Sequence, residues 1–325
     1  MIHVYKVEGD HLVEVDGLSG APAGEILWID LMAPTVQEDR AVEDFLKLSI
    51  PTREDMEEIE SSARLYDEGD ASYMTMSAVA HISIDDPVKI PLTFIIHKHT
   101  LITVRYDELM SFTQYLTTAK KKKGVPNPSP EGLLLDIVEA VINRTADALE
   151  SLGDEIEGVS REIFRTKKTS ASRKTGILQV TIKKIGAKGD MLGMLRESLS
   201  SISRLLFHYD ARSAETTPKG VKQKSKNLHK DVDTLADHAN FLSGKMAFLL
   251  DATLGLINLE QNQIIKIFSV AAVVFLPPTL IASIYGMNFH HMPELDWPLA
   301  YPLVLLCMIL SAALPLMYFK KKGWL

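Results

Sequence analysis

The chain has 325 residues, 46% of them hydrophobic, a formal charge of −7 and a single cysteine, Cys307. That length suggests about two domains with a core of ordinary size. One cysteine excludes a disulfide framework or a Cys-based zinc site within one chain, and the acid excess argues against a nucleic-acid partner, which needs basic patches.

Residues 2–7 and 11–16 alternate as a hairpin around Gly9 and Asp10, and Ile26-Leu27-Trp28-Ile29 reads as a third strand. Thr35 and Glu38 have capping-box spacing, which predicts a helix over 35–48. Pro51 and Thr52 open another, through Glu60. Strands are expected at 63–66, 73–84, 92–97 and 101–106, then a helix around 108–118. Lys120, Lys121, Lys122 and Lys123 with Gly124-Val125-Pro126-Asn127-Pro128 read as a linker. Residues 1–130 therefore form an α/β domain. The first residues, Met1-Ile2-His3-Val4-Tyr5, show no leader pattern, so this domain is expected in the cytosol.

Beyond Pro130 the periodicity becomes helical. Leu134, Val138, Val141, Thr145, Leu149, Leu152, Ile156, Val159 and Ile163 step by three and four, as in a coiled coil. A second helix is expected over 174–209, broken by Glu215-Thr216-Thr217-Pro218-Lys219-Gly220. A third starts near Val221. Its stripe is Leu228, Val232, Leu235, Ala239, Leu242, Met246, Leu249, Thr253 and Leu256. No proline interrupts it before Pro277, so one helix is predicted to run on into the next segment. Residues 131–262 thus form a long-helix stalk bundle, whose stripes a packed core explains without a cofactor.

Residues 267–293 and 297–319 contain no Asp, Glu, Lys or Arg. A spanning helix needs about 20 apolar residues, and 264–284 and 299–319 qualify. Residues 263–325 are therefore a two-helix transmembrane domain. Lys320, Lys321 and Lys322 flank the second span, and positive flanks stay inside. Both termini are then cytosolic and the connector 286–298, with Glu294 and Asp296, lies outside. Residues 1–260 carry 31 basic and 40 acidic residues, an excess that suits a cation partner and also suits mere solubility.

Continued into the membrane, the stripe visits Asn258, Asn262, Ile265, Ser269, Ala272, Leu276, Thr279, Ser283 and Gly286. Phe268, Phe275 and Leu280 are placed on the opposite face. Small and hydroxyl residues on one face suit either helix packing or a pore. Pro277 and Pro278 leave the carbonyls of Val273 and Val274 without helical partners, which could turn toward a path or merely kink the helix. Two helices cannot enclose an aqueous path, so a pore requires a symmetric oligomer. His97 and His99 would share a face on a strand and suit either a metal or a structural role, while His290 and His291 lie in the connector and could bind softer cations. No Walker loop, nucleophile elbow or HExxH helix is present, so no enzyme is expected.

Tyr285-Gly286-Met287-Asn288-Phe289, Met292-Pro293-Glu294-Leu295 with Trp297, the ending Tyr318-Phe319-Lys320-Lys321-Lys322 with Trp324-Leu325, and the run from Ile257 to Ser269 resemble the CorA magnesium transporters. Trp28-Ile29-Asp30-Leu31 and Arg53-Glu54-Asp55-Met56-Glu57-Glu58-Ile59-Glu60 are similar to family segments upstream. The resemblance implies a homopentamer of a bacterial inner membrane that carries Mg²⁺, and Co²⁺ and Ni²⁺ with it. It places Gly286, Met287, Asn288 and Glu294 at the outer mouth. It assigns the pore lining to Asn262, Ile265, Ser269, Ala272, Leu276, Thr279 and Ser283. Regulatory Mg²⁺ would bind cytosolic carboxylates, for which Asp210, Asp231, Asp233 and Asp237 are candidates. Two alternatives stand beside it: a zinc transporter of the same superfamily, in which the motif methionine is typically replaced, and a membrane-anchored sensor.

Overall fold

The computed structural model describes residues 1–325 except 10, 83–85, 122–124, 126, 165–170, 213–216, 289, 291 and 325. Ser83 and Ile84 of an expected strand, Lys122, Lys123, Gly124 and Pro126 of the linker, Glu215 and Thr216 of the helix break, and Phe289 and His291 lie outside the described residues. The chain forms two compact units, Met1–Arg165 with Lys183–Leu249, and Thr166–Ile182 with Leu250–Leu325.

The first unit holds the strands β1 (Ile2–Glu8), β2 (His11–Val15), β3 (Ile26–Met32), β4 (Leu65–Glu68), β5 (Ala71–Ala80), β6 (Val88–His97) and β7 (Thr100–Arg105). They form one sheet in the order β2-β1-β3-β7-β6-β5-β4, antiparallel throughout except between β3 and β7. Between the strands lie α1 (Val36–Leu46), α2 (Arg53–Glu57) and α3 (Ser61–Arg64), and α4 (Met110–Lys121) follows β7. β5 and β7 are buried at every position, as strands covered on both faces must be. The buried chemistry here is a closed network. Arg105 grips Asp30 with an Nη2–Oδ2 distance of 2.8 Å, the Thr103 hydroxyl donates to Asp30 at 2.7 Å, and Trp28 Nε1 donates to Thr103 at 3.0 Å. The guanidinium also lies over the Phe112 ring at 4.7 Å. A buried ion pair needs such additional partners to offset its desolvation.

α1 begins as expected. Thr35 accepts from the Glu38 N–H, and the Thr35 N–H donates to the Glu38 carboxylate at 2.8 Å. The next helix departs from expectation: α2 stops at Glu57 because Glu58 turns extended (φ −55°, ψ 144°). Acids crowd that end, where the helix dipole disfavours them, and Arg64 donates to the freed carbonyls of Glu57 and Glu58. Residues 63 and 64 are therefore helical, in α3, and the strand starts only at Leu65. α4 also runs past the expected boundary, through Lys120 to Lys121.

Three long helices follow: α5 (Pro130–Phe164), α6 (Ala171–Arg212) and α7 (Lys219–Tyr285). α5 opens where Ser129 Oγ accepts from the Gly132 N–H at 3.0 Å; a Cβ at Gly132 would stand 2.4 Å from Asn127 O, so only glycine fits. All nine expected stripe residues of α5 are buried. Within the first unit α7 buries Leu228, Val232, Ala239, Leu242, Met246 and Leu249, with Leu235 half-buried. A Cβ at Gly153 of α5 would meet Leu242 at 3.7 Å, and one at Gly189 of α6 would crowd Met246 at 3.2 Å. Polar groups tie the same helices. Lys224 pairs with Asp136 and with Glu139 (2.6 Å), and Tyr115 donates to Asp136 at 3.3 Å. Burial opposes charge on Lys224, yet its hydrogen bonds to Asp136 and Glu139 hold it protonated above the usual lysine range.

The second unit contains the rest of α7, a 3-10 turn at Pro293–Asp296, and α8 (Ala300–Lys321). α7 is a single helix of 67 residues with Pro277 and Pro278 inside it.

Candidate functional site

The last part of α7 and the whole of α8 are long and apolar enough to cross a membrane. Only 6% and 0% of their most apolar windows are buried, so neither is the core helix of a soluble fold.

Asn262, Ile265, Ser269, Ala272, Leu276, Thr279 and Ser283 are all exposed in the single chain. Ile265 is 60% and Leu276 66% exposed. The covered side of this segment is instead Val270, Ala271, Val274, Pro277, Pro278 and Ile281, which are buried or half-buried. Phe268, Phe275 and Leu280 are exposed too, which corrects their placement opposite the stripe. At about 100° per residue they flank the stripe on either side, and Val270 and Val274 oppose it. The Thr279 hydroxyl donates back to Phe275 O at 2.7 Å, the usual recourse of a helical threonine.

α7 ends at Tyr285, and the Gly286 N–H still donates to Ala282 O at 2.9 Å. A Cβ on Gly286 would lie 3.2 Å from that oxygen, tighter than ordinary packing tolerates. Met287 closes the turn on Ile284 O at 3.3 Å. Met287 and Asn288 are exposed just past the helix end. Glu294 and Asp296 are exposed on the 3-10 turn, whose last bond runs from Trp297 N–H to Glu294 O at 3.4 Å. The span-facing part of the site thus presents hydroxyl, amide and aliphatic groups, with carboxylates only in the connector.

The acidic candidates are dispersed. Asp210, on α6, accepts from Ser225 Oγ at 2.7 Å and pairs with His229 Nε2 at 3.0 Å. Asp231, Asp233 and Asp237 are exposed along α7. Among the described residues no three His, Cys, Asp or Glu side chains come together as a metal site within one chain. His97 ends β6 while His99 sits in the turn after Lys98 (φ +53°), so they do not share a strand face. Burial and the neighbouring Lys98 hold His97 below the usual imidazole range.

One contact escaped the sequence reading. Lys266 Nζ of α7 stands 5.8 Å from the Trp324 ring, 58 residues further on, a separation that no local pattern reports.

Fold and site together define a membrane protein with an α/β domain, a long-helix bundle and two C-terminal spans joined by a short polar connector. The family profile described as CorA-like Mg²⁺ transporter protein matches residues 23–321, and the chain belongs to that family. The chain is 34% identical to the magnesium transport protein CorA of Escherichia coli (strain K12) over 325 residues, covering all of both chains. The CorA of Salmonella typhimurium (strain LT2) is likewise 34% identical over the full length of both. Among solved structures, the complete CorA magnesium transporter of Methanocaldococcus jannaschii superposes with a TM-score of 0.81 at 22% identity, covering 100% of this chain and 99% of that one. The full-length CmaX protein gives 0.69 at 14% identity, over 99% of this chain and 97% of that one. These two establish the fold alone.

Proposed function

We propose that this chain is the subunit of a homopentameric channel that carries Mg²⁺ inward across a bacterial inner membrane, with both termini cytoplasmic. The observation that carries the reading is the exposed, uncharged stripe on α7 that ends at Gly286-Met287-Asn288. Two spans per chain cannot enclose water, so the stripe is lined up with its copies around a common axis.

The chemistry suits Mg²⁺ as cargo. Mg²⁺ gives up its water reluctantly. A mouth of Asn288 amide oxygens and backbone carbonyls can hydrogen-bond to the hydrated ion, whereas a ring of carboxylates would hold it too tightly to let it leave. Glu294 and Asp296 concentrate cations outside that mouth. Leu276 and Ile265 form apolar rings that close the path by dewetting. No catalytic group is involved: the membrane potential supplies about 4.6 kcal/mol per 100 mV for a divalent ion. Co²⁺ and Ni²⁺ share the path.

Regulation falls to the acidic first unit. Asp231, Asp233 and Asp237, and Asp210 where it is released from Ser225 and His229, would meet like charges on neighbouring subunits. Internal Mg²⁺ between them then favours the tight, closed ring.

The test is uptake into liposomes holding the purified protein, each divalent cation supplied alone. Uptake of Mg²⁺ supports the reading. Uptake of Zn²⁺ without Mg²⁺ would shift it to a zinc transporter, and no uptake of any cation would favour an anchored sensor.

A further inference from the structure

The C-terminal end of α8 folds back on itself. Gly323 takes φ +70°, its N–H donates to Lys320 O at 3.2 Å, and the Trp324 N–H donates to Phe319 O at 3.0 Å. This reversal lays the Trp324 indole on Phe319, with centroids 5.3 Å apart and planes at 21°. Lys266 Nζ also stands over the indole, 5.8 Å from its centroid. Lys322 Nζ lies 5.3 Å from the Tyr318 ring.

All four Lys or Arg residues of 261–325 are therefore at this end of the spans: Lys266 from α7, and Lys320, Lys321 and Lys322 from the end of α8. The two acids of the same stretch, Glu294 and Asp296, are in the connector at the other end of the spans. Among the described residues no carboxylate pairs with any of the four lysines. Orientation in the membrane would be satisfied by the three lysines that flank α8. It requires neither a fourth on the other helix nor a turn that brings an indole to it.

We propose that this corner binds the headgroup of an anionic phospholipid, with the phosphate between Lys266 and the C-terminal lysines. Phosphate between basic side chains of two spans is a recognised lipid-binding chemistry. The occupant is a lipid rather than a soluble anion because the corner is continuous with exposed apolar surface. Phe268 on α7 and Met317 on α8 are 71% and 59% exposed within a turn of it. Trp324 and Tyr318 supply the amphipathic rings that settle at headgroup depth. Lys266 is one residue, about 100° of helix rotation, from Ile265 on the proposed pore stripe, so a headgroup there does not obstruct the path.

The test is native mass spectrometry of the delipidated full-length protein, titrated with phosphatidylglycerol or with phosphatidylcholine of the same acyl chains. Phosphatidylglycerol should be retained at markedly lower concentration. Lys266→Gln keeps the three flanking lysines and should weaken that retention about fivefold, the worth of one lysine near an anionic surface, while Lys266→Arg should restore it. Equal retention of the two lipids, or no change in Lys266→Gln, would overturn the proposal. Displacement of phosphatidylglycerol by an equal concentration of glycerol 3-phosphate would assign the corner to a soluble anion and overturn it as well. Should Lys266→Gln fail to assemble, the unmodified protein decides: a headgroup-proximal photo-crosslinking phosphatidylglycerol in mixed vesicles should label residues 264–268 and 318–324, and absence of label there contradicts the assignment.

Discussion

Helix α7 carries the same three-and-four stepping twice, with opposite outcomes. From Leu228 to Leu249 the stripe is buried within the chain, met by α5 and α6 through small residues such as Gly153 and Gly189. From Asn262 to Ser283 it is exposed, and the covered side is the face across from it. A stripe that a single chain buries is a core. A stripe that a single chain leaves open, uncharged and partly polar, in a segment bound for a bilayer, is on the proposed reading completed by copies of the chain and by water.

Substitutions in the two stripes should therefore separate cleanly. The largest effect is expected where the open stripe ends: Asn288→Ala should reduce Mg²⁺ uptake to that of protein-free liposomes while the assembly runs unchanged on size exclusion. Next, Leu242→Ala in the closed stripe should destabilise the first unit by about 2–5 kcal/mol, because it opens a cavity against α5; thermal unfolding followed by circular dichroism reads this. Leu276→Ser in the open stripe should leave that unfolding unchanged and instead raise Mg²⁺ leak when internal Mg²⁺ is high, since a hydroxyl keeps water in the apolar ring. A melting temperature that falls as far in Leu276→Ser as in Leu242→Ala would erase the distinction.

The smallest effect concerns neither stripe and serves as a control for the fold. Thr35→Ala removes the α1 cap and should cost about 1 kcal/mol. The backbone N–H of Thr35 holds Glu38 below the ordinary carboxylate range. Its contribution is therefore present above the unfolded-state pKa and is lost as pH falls through the lower folded value. Alanine keeps that backbone N–H, so this pH dependence is common to both proteins: the deficit of the variant should change little on acidification, and Mg²⁺ flux at neutral pH should be unaffected.

What could be read from residues alone was whatever repeats or ends locally. The α5 stripe, the Thr35 cap and the two spans are carried by spacing, and each stands where the spacing places it. The stop at Glu57 was less legible because it depends on Arg64 reaching back to carbonyls that a helix would have used. Phe268, Phe275 and Leu280 flank the stripe at about 100° per residue instead of opposing it, and their apolar character does not mark a face, because in a membrane segment apolar residues cover both lipid-facing and packed sides. Asp210 could not be recognised as engaged, since Ser225 and His229 come from another helix. The Lys266 and Trp324 contact depends on a glycine turn at the far end of the chain.

The most direct test of the open stripe uses the single native cysteine, Cys307, as a convenience. In a Cys307→Ser background, cysteines are placed singly at Ser269, Ala272 and Ser283 on the stripe, and at Val270, Val274 and Ile281 on the covered face. Mg²⁺ uptake into liposomes is then measured before and after a charged, membrane-impermeant thiol reagent present on both sides. The account predicts that the reagent blocks uptake through the three stripe variants and leaves the three covered-face variants untouched. Block at the covered face with none on the stripe would contradict it.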